Sequence, residues 1–468
     1  MRTETDSLGD VLVAADALWG AQTQRAIENF DVSGLKQPGV YLAATALVKQ
    51  AAAEVNMDLG LLDTERGQAI AEAAREIVQG HWRDQFVVDP FQAGAGTSHN
   101  MNANEVIANL ANEKLGGQRG VYRPVHPNDH VNMAQSTNDV IPTVLRVAAS
   151  MDVGRLLEAL DALVGRLETK AAAFDHMLKP GRTHLQDAVP VRLGQEFGAY
   201  AQAVRLDRER IARAAEGLRR LGIGGTATGT GLNSHPDYHR RMVARLSELA
   251  GVAFVSSGNL FESMQSSADF TDFSSALRTL AVTLARIAND LRLLASGPTT
   301  GLFEITLPAL QPGSSIMPGK VNPVIPEMLN MICFHVMGND LAVMAAAQAG
   351  QLELNVMTPI IAYNLLQALQ ILTNGARLFA ERCISGITAN EEHCRELAEK
   401  SIGLATALNA YIGYAAAAKV AQEAMTRDVS LRQVILERGL LTEEQLAIVL
   451  DPLAMTEPGI PGRDLEQA

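Results

Sequence analysis

Aromatic residues are scarce in this chain. They make up 4% of its 468 residues, and only two are tryptophan. A sequence poor in aromatics and rich in alanine and leucine is expected to fold mainly as helices. Cysteine is scarcer still. Cys333, Cys383 and Cys394 are odd in number and lack metal-ligand spacing, which argues against a disulfide framework and predicts three packed thiols in a reduced, cytoplasmic setting. A basic excess is also missing. The net charge of −13 speaks against a nucleic-acid or anionic-membrane surface, while leaving room for a local cationic pocket. No run of about 18 uninterrupted apolar residues occurs, so no membrane span is expected. The opening MRTETDSLGDVLVAAD is too charged for a signal peptide.

What is present suits a large folded core: apolar residues make up 47% of the chain. Helical apolar spacing runs through 41–76, 144–178, from about 191 to 221, 238–297 in two pieces with a break near Ser256–Asn259, 326–347 and 360–382. The tract 326–347 is apolar on nearly every side, which predicts burial in a bundle or against another subunit. In LLTEEQLAIVLDP, Thr442 reads as an N-cap and Gln445 as its capping-box partner. The expected architecture is mainly α, with an N-terminal helical domain at 1–136, a central long-helix bundle at 137–391 and a small C-terminal helical domain at 392–468. The polar, glycine-rich stretches fall at the ends of long helices. A helix of 30 residues separates its ends by about 45 Å, so gathering these stretches at one place favours an oligomer.

Two motif matches fail on context. GIGGTA (222–227) has dinucleotide-fingerprint letters but follows a charged helical tract instead of a strand. GSSIMPGK lacks the glycine spacing of a phosphate loop, and Val321 stands where Ser or Thr is required. His126 and His130 have metal-ligand spacing, but Pro127 and Asn128 between them predict a turn that hydrogen-bonds itself.

Four polar stretches remain: GAGTSHNMN, AQSTND, GRTHLQ and GSSIMPGKVN. They are rich in hydroxyls and amides, which with backbone N–H groups, Arg182 and Lys320 would suit a carboxylate ligand. GSSIMPGKVNP resembles the signature loop of the aspartase/fumarase superfamily. ALWGAQTQRAIENF, GAGTSHNMNANEVIANL, HPNDHVN, QSTND, GRTHLQDAVP, GTATGTGLN and ILERGLLTEEQL follow that family's pattern in order along nearly the whole chain. KVNPVIPE, HLQDAVP, GNDLAV and AGQLELNVM resemble the aspartase branch more than the fumarase branch.

The resemblance implies a reversible elimination of ammonia from L-aspartate to give fumarate, with no redox cofactor and no required metal, in a homotetramer whose sites draw on three subunits. It assigns Ser314 as the base that removes a proton next to a carboxylate, leaving an aci-carboxylate. Thr97, Ser136, Thr137 and Ser315 would bind that carboxylate, and Thr183, Lys320 and Asn322 the other. Asn138 and His184 would face the amino group, His184 with a second possibility as general acid. Backbone N–H groups around Gly313 and Gly319, with Lys320 nearby, are expected to stabilise the Ser314 alkoxide. Three positions depart from the aspartase pattern. His99 is read as a rim histidine making loop hydrogen bonds, Thr358 stands in place of a glutamate, and Met133 and Ala134 replace more polar residues. A class II fumarase, a same-mechanism lyase for another amine, and a non-catalytic structural protein are the alternatives.

Overall fold

The computed structural model describes residues Met1–Arg463. Strands β1 (Arg2–Asp6) and β2 (Gly9–Val13) form an antiparallel pair, and helices dominate the rest of the chain. Helices α1 (Ala21–Asn29), α2 (Gly39–Asp58) and α3 (Thr64–Val78) come first. The single helical tract expected over 41–76 is thus two helices. Asp63 caps the second by accepting from the Arg66 N–H at 3.0 Å, and a cap of this kind ends a periodic pattern without disturbing it.

The polar segment 90–143 contains α4 (Thr97–Lys114), a helix of 18 residues that is buried along most of its length. Its asparagines reach out to loops. Asn102 bonds the Gln85 carbonyl and the Val87 N–H, Asn109 the Leu18 carbonyl and the Gly120 N–H, and Asn112 both backbone groups of Val125. A polar composition that looks like loop is therefore an interior strut whose amides satisfy buried backbone. Gly96 precedes it with φ +96°, and a Cβ there would lie 2.9 Å from Ile141 Cγ1. Only glycine meets both demands.

Helix α5 (Thr137–Ala173) begins earlier than the spacing predicts, because Pro142 lies inside its first turns. The break at 179–190 is a hairpin of β3 (Leu178–Thr183) and β4 (Gln186–Arg192). Helices α6 (Leu193–Gly217), α7 (Tyr238–Ala250), α8 (Leu260–Gln265) and α9 (Ala268–Leu294) come next. After them stand α10 (Val324–Gln348) and α11 (Thr358–Arg382), and from Glu391 onward shorter helices. The last of these, Glu443–Val449, carries the predicted capping box in full: Thr442 Oγ1 accepts from the Gln445 N–H at 3.2 Å, and Gln445 Oε1 from the Thr442 N–H at 2.9 Å.

Chain contacts divide into two compact units. One comprises Met1–Glu158, Asp207–Val282 and Ile332–Asn374; the other comprises Ala159–Leu206, Thr283–Met331 and the chain from Gly375. The division falls inside α5, α6, α9, α10 and α11. The first unit holds a cluster built from Leu18, Ile70, Ile77, Val106, Ile107 and neighbours, and the second one built from Leu408, Val420, Val434, Ile435 and Leu446. Helix α10 is long and apolar enough to cross a membrane by length and composition, with 33% of its most apolar window buried. Cys333, Cys383 and Cys394 are buried, as expected of packed thiols.

Thr442→Ala removes one half of a reciprocal cap and is expected to cost about 1 kcal/mol. The measurement is amide exchange in Glu443–Val449; rates equal to those of the unmodified chain would refute it.

Candidate active site

Four of the residues singled out in the sequence lie in the first unit. Ser136 caps α5, its N–H donating to Asp139 Oδ1 at 2.9 Å and its Oγ accepting from the Asn138 N–H at 3.3 Å. Thr97 Oγ1 donates to the Gly94 carbonyl at 2.6 Å and lies 3.2 Å from Thr137 Oγ1. Asn138 Nδ2 donates to the Ala227 carbonyl at 2.8 Å. The start of α4 and the start of α5 therefore present Thr97, Ser136, Thr137 and Asn138 together.

Behind them stands a network that sequence reasoning missed. Lys49 is fully buried, and its Nζ donates to Asn132 Oδ1 and Gln135 Oε1, both at 2.9 Å. Asn100 Nδ2 links Asn132 Oδ1 to Thr137 Oγ1 at 3.2 and 3.3 Å. Asp139 is also buried, and its Oδ2 accepts from the Gly224 and Thr226 N–H groups at 2.8 and 3.0 Å. Burial pushes Lys49 down to about 7 and Asp139 up to about 6, and their mutual attraction opposes both shifts. The available signal was a lone lysine in the apolar helix ALVKQAAAEV.

His99 is not at a rim. It is 2% exposed, its ring packed at a tilt against Tyr41 and Phe86, with Nε2 at 2.9 Å from Thr45 Oγ1. Thr45 spends its proton on the Tyr41 carbonyl, so His99 Nε2 is the donor. Burial first, then the Lys49 charge, push the imidazole down to about 3. It is a neutral core residue. Thr358 is likewise buried, donating to the Ala95 carbonyl at 3.2 Å. His126 and His130 bond their own turn as predicted: the His126 N–H donates to His130 Nδ1 at 2.8 Å, and the Asn128 and Asp129 N–H groups to His126 Nδ1 at 3.3 Å. No group of three or more metal-binding side chains is assembled among the described residues. GIGGTA does follow a strand, the two-residue Arg220–Leu221, but no helix opens on it before Tyr238, so the fingerprint still fails.

The other six residues lie in the second unit, on two elements. In the loop before α10, Ser314 is half-buried and its Oγ accepts from the Ile316 N–H at 3.2 Å and the Met317 N–H at 2.9 Å. The donors are thus Ile316 and Met317, at the middle of the loop, and not the N–H groups of Gly313 or Gly319. The Gly313 N–H instead donates to the Lys320 carbonyl at 2.7 Å, and Asn322 Nδ2 to the Gly313 carbonyl at 2.8 Å, which closes the base of the loop. Ser315 and Lys320 are exposed. Lys320 and Asn322 line a cavity of about 820 Å³ with Arg292, Ser296 and Thr306.

Thr183 and His184 sit exposed at the tip of the β3–β4 hairpin. His184 and Leu185 form its two-residue turn with φ 53° and 61°, a left-handed pair that matches the strand twist and usually needs Asn-Gly. No hydrogen bond joins these tip residues to the serine loop among the described residues of this unit. Arg182, read as a pocket cation, is committed elsewhere: its Nη1 pairs with Glu304 Oε1 at 2.7 Å. Lys179 pairs with Glu304 Oε2 at 3.2 Å and with Glu196 Oε1 at 2.8 Å. Glu304 is fully buried, so two cations on one strand share one anion.

Comparison with known proteins shows the family. Residues 9–338 match the lyase family and residues 404–457 the fumarase C C-terminus. The chain belongs to the aspartase/fumarase superfamily. It is 48% identical over 464 residues to the aspartate ammonia-lyase of Bacillus subtilis (strain 168), covering 99% of this chain and 98% of that one. It is 51% identical over 461 residues to the class II fumarate hydratase of Halobacterium salinarum, covering 98% of each. A solved fumarate lyase/delta-crystallin from Brucella melitensis, bound to cobalt, superposes with a TM-score of 0.94 at 48% identity, covering 98% of this chain and 100% of that one. The mainly helical fold, read from composition and periodicity, is that of this superfamily.

Replacing Glu304 by Gln leaves Lys179 and Arg182 facing a neutral partner. The expected loss is about 3–5 kcal/mol, as for other broken buried pairs. Chemical denaturation measures it; an unchanged midpoint would contradict the assignment.

Proposed function

We propose that this chain is an ammonia-lyase that reversibly eliminates ammonia from L-aspartate to give fumarate. The observation that carries the mechanism is the Ser314 hydroxyl receiving two backbone N–H donors, at 3.2 and 2.9 Å. A hydroxyl is a weak base until its alkoxide is stabilised, and preoriented N–H dipoles do this without reorganising during the reaction. Ser314 takes the proton from the carbon next to one carboxylate. The electron pair moves into that carboxylate as an aci form, then returns to make the double bond as the C–N bond breaks and ammonia leaves. Thr97, Ser136, Thr137 and Ser315 donate to the aci-carboxylate; Thr183, Lys320 and Asn322 hold the other one. Asn138 and His184 face the amino group; an ammonium leaves as neutral ammonia with no proton added, so His184 acts as general acid only toward a leaving group that is not already protonated.

The working form is a homotetramer with shared sites, in the cytoplasm. Support for the assembly comes from α10, where Met331, Phe334, Leu341 and Met344 are 52–61% exposed along one stripe. A second copy of this chain covers such a stripe better than lipid does, since Asn339 and Asp340 lie in the same helix. The separate clusters within 18–131 and 404–449 support the division into domains at 1–136, 137–391 and 392–468. The buried position of the three cysteines suits a reducing compartment.

A class II fumarase is the second reading, favoured by the 51% identity to a fumarate hydratase. One assay separates the two. With fumarate and ammonium, the fumarate absorbance should fall; with fumarate alone it should not. Loss in both mixtures would make the chain a hydratase. Ser314→Ala should cut turnover by at least about 10³-fold while the chain stays folded, and residual activity near the unmodified level would remove Ser314 as the base. Light scattering in solution should give four chain masses; a monomer would refute the assembly.

A further inference from the structure

The hairpin that carries Thr183 and His184 is a weak ribbon by itself. Pro180 and Pro190 face each other in its register, so neither donates across the ladder, and the register shifts between Pro180 and Arg182. Isolated two-stranded ribbons are marginal even with a full ladder. The turn at His184 and Leu185 also holds two non-glycine residues at positive φ, a conformation that persists only where the surroundings impose it. What fixes the tip must therefore lie outside the ribbon.

On β3 the fixed point is Glu304. On β4 it is the C-terminal part of the chain. Ser401 Oγ donates to the Ala188 carbonyl at 3.2 Å. Gly403 sits so close to the same carbonyl that a Cβ would lie 2.0 Å from the oxygen. Arg192 Nη1 donates to Thr456 Oγ1 at 2.9 Å and pairs with the Glu457 carboxylate, while its Nε reaches Asp175 at 3.1 Å. Gln195 completes the joint: Nε2 donates to the Thr456 carbonyl at 3.0 Å and Oε1 accepts from the Arg192 N–H at 2.9 Å. Beside it, Val189, Thr406, Ile460 and Pro461 line a cavity of about 240 Å³. The strand is thus gripped at Ala188 and Arg192.

We propose that Arg192 and Gly403 are positioning residues, which dock the C-terminal segment onto β4 and thereby set where His184 sits. This rests on the proposed role of His184 at the amino group. Arg192 is six residues from the start of β4, about 20 Å of extended chain, so it acts through the strand and not on the substrate. The carboxylates of Asp175 and Glu457 are 58% and 59% exposed. Solvent screens such pairs, so losing Arg192 should free the strand without unfolding the protein.

The test uses the full chain with Arg192→Gln, Arg192→Lys and Gly403→Ala, each read by amide exchange across 183–192 and by turnover, and Arg192→Gln repeated on a His184→Ala background. Arg192→Gln and Gly403→Ala should speed hairpin exchange about 10-fold or more, leaving exchange in α4 unchanged. Turnover should fall about 10-fold, since small misplacements of a reacting group cost that much or more. Arg192→Lys should recover most of it. On the His184→Ala background Arg192→Gln should cost nothing further, because both changes act at one point. Unchanged hairpin exchange in both Arg192→Gln and Gly403→Ala overturns the docking, and Arg192→Gln decides alone if Gly403→Ala does not fold. An equal further loss on the His184→Ala background overturns the link to His184. Inactivity of the unmodified chain toward fumarate, with and without ammonium, sinks the proposed function instead, and the exchange measurement still decides the docking.

Discussion

Buried backbone must be hydrogen-bonded, and in this protein the irregular segments that carry chemistry obtain those bonds from side chains on helices. Asp139 is the clearest case. One carboxylate caps Ser136 at the start of α5 and also receives the Gly224 and Thr226 N–H groups. Glu105, on α4, does the same for Gly20, Gln22 and Thr23. Asp89, itself in a loop, likewise holds the N–H groups of Ser33, Gly34 and Phe91. Burial raises the cost of each charge, yet N–H donors repay most of it. The balance differs from site to site: Glu105 is pushed up by burial, while Asp89, with its donors prevailing over partial burial, is held below the usual range. In return, segments with no ladder of their own acquire fixed shapes.

That constraint also explains which features were legible in the sequence. Local devices were readable. The capping box at Thr442 needs only residues three apart, and the self-bonded turn at His126–His130 needs only its proline and asparagine. Helical periodicity located most long helices because each buries a regular stripe. Long-range pairings were not readable. Arg182 is separated from Glu304 by 122 residues and Asp139 from Gly224 by 85, and no local pattern announces such partners. Composition misled where polar residues face inward, as in α4. His99 lies in a stretch that looks like loop but is helix, and helix placed it against Tyr41 and Phe86. The candidate site residues came from motif order along the chain; the network of Lys49, Asn100 and Asn132 behind Thr97 and Thr137 appears only in three dimensions.

The serine loop poses a problem of dielectric. Two neutral N–H dipoles stabilise an alkoxide strongly in a dry cavity and weakly in water. Within one chain, Ser314 is half-buried while Ser315, Ile316 and Lys320 are exposed, Ile316 by 83%. The donor geometry is in place, but the low dielectric that gives it force is not. On the proposed reading, substrate and neighbouring copies supply the cover, so the serine becomes basic only when a diacid is enclosed. Free enzyme then avoids carrying a reactive alkoxide in water. The apolar loop tip would contribute by excluding solvent.

Overall identity does not distinguish loss of ammonia from loss of water, because both reactions begin with the same proton abstraction. The half of the site around Ser314, Lys320 and Asn322 would serve either. On the proposed assignment, discrimination lies where the leaving group would sit, at Asn138 and His184. Asn138 offers a physical reason to favour the amine. The Ala227 carbonyl can only accept, so it takes the Asn138 NH₂ group at 2.8 Å, and the side chain is left presenting its carbonyl oxygen. An acceptor at that point suits an ammonium group, which has three protons to donate and no lone pair. A hydroxyl can satisfy the same acceptor with its single proton, but it gains less, since hydrogen bonds from a charged donor are roughly twice as strong as neutral ones. On the proposed reading, the tether to Ala227 orients this amide so that a positively charged leaving group would be the better-bound one.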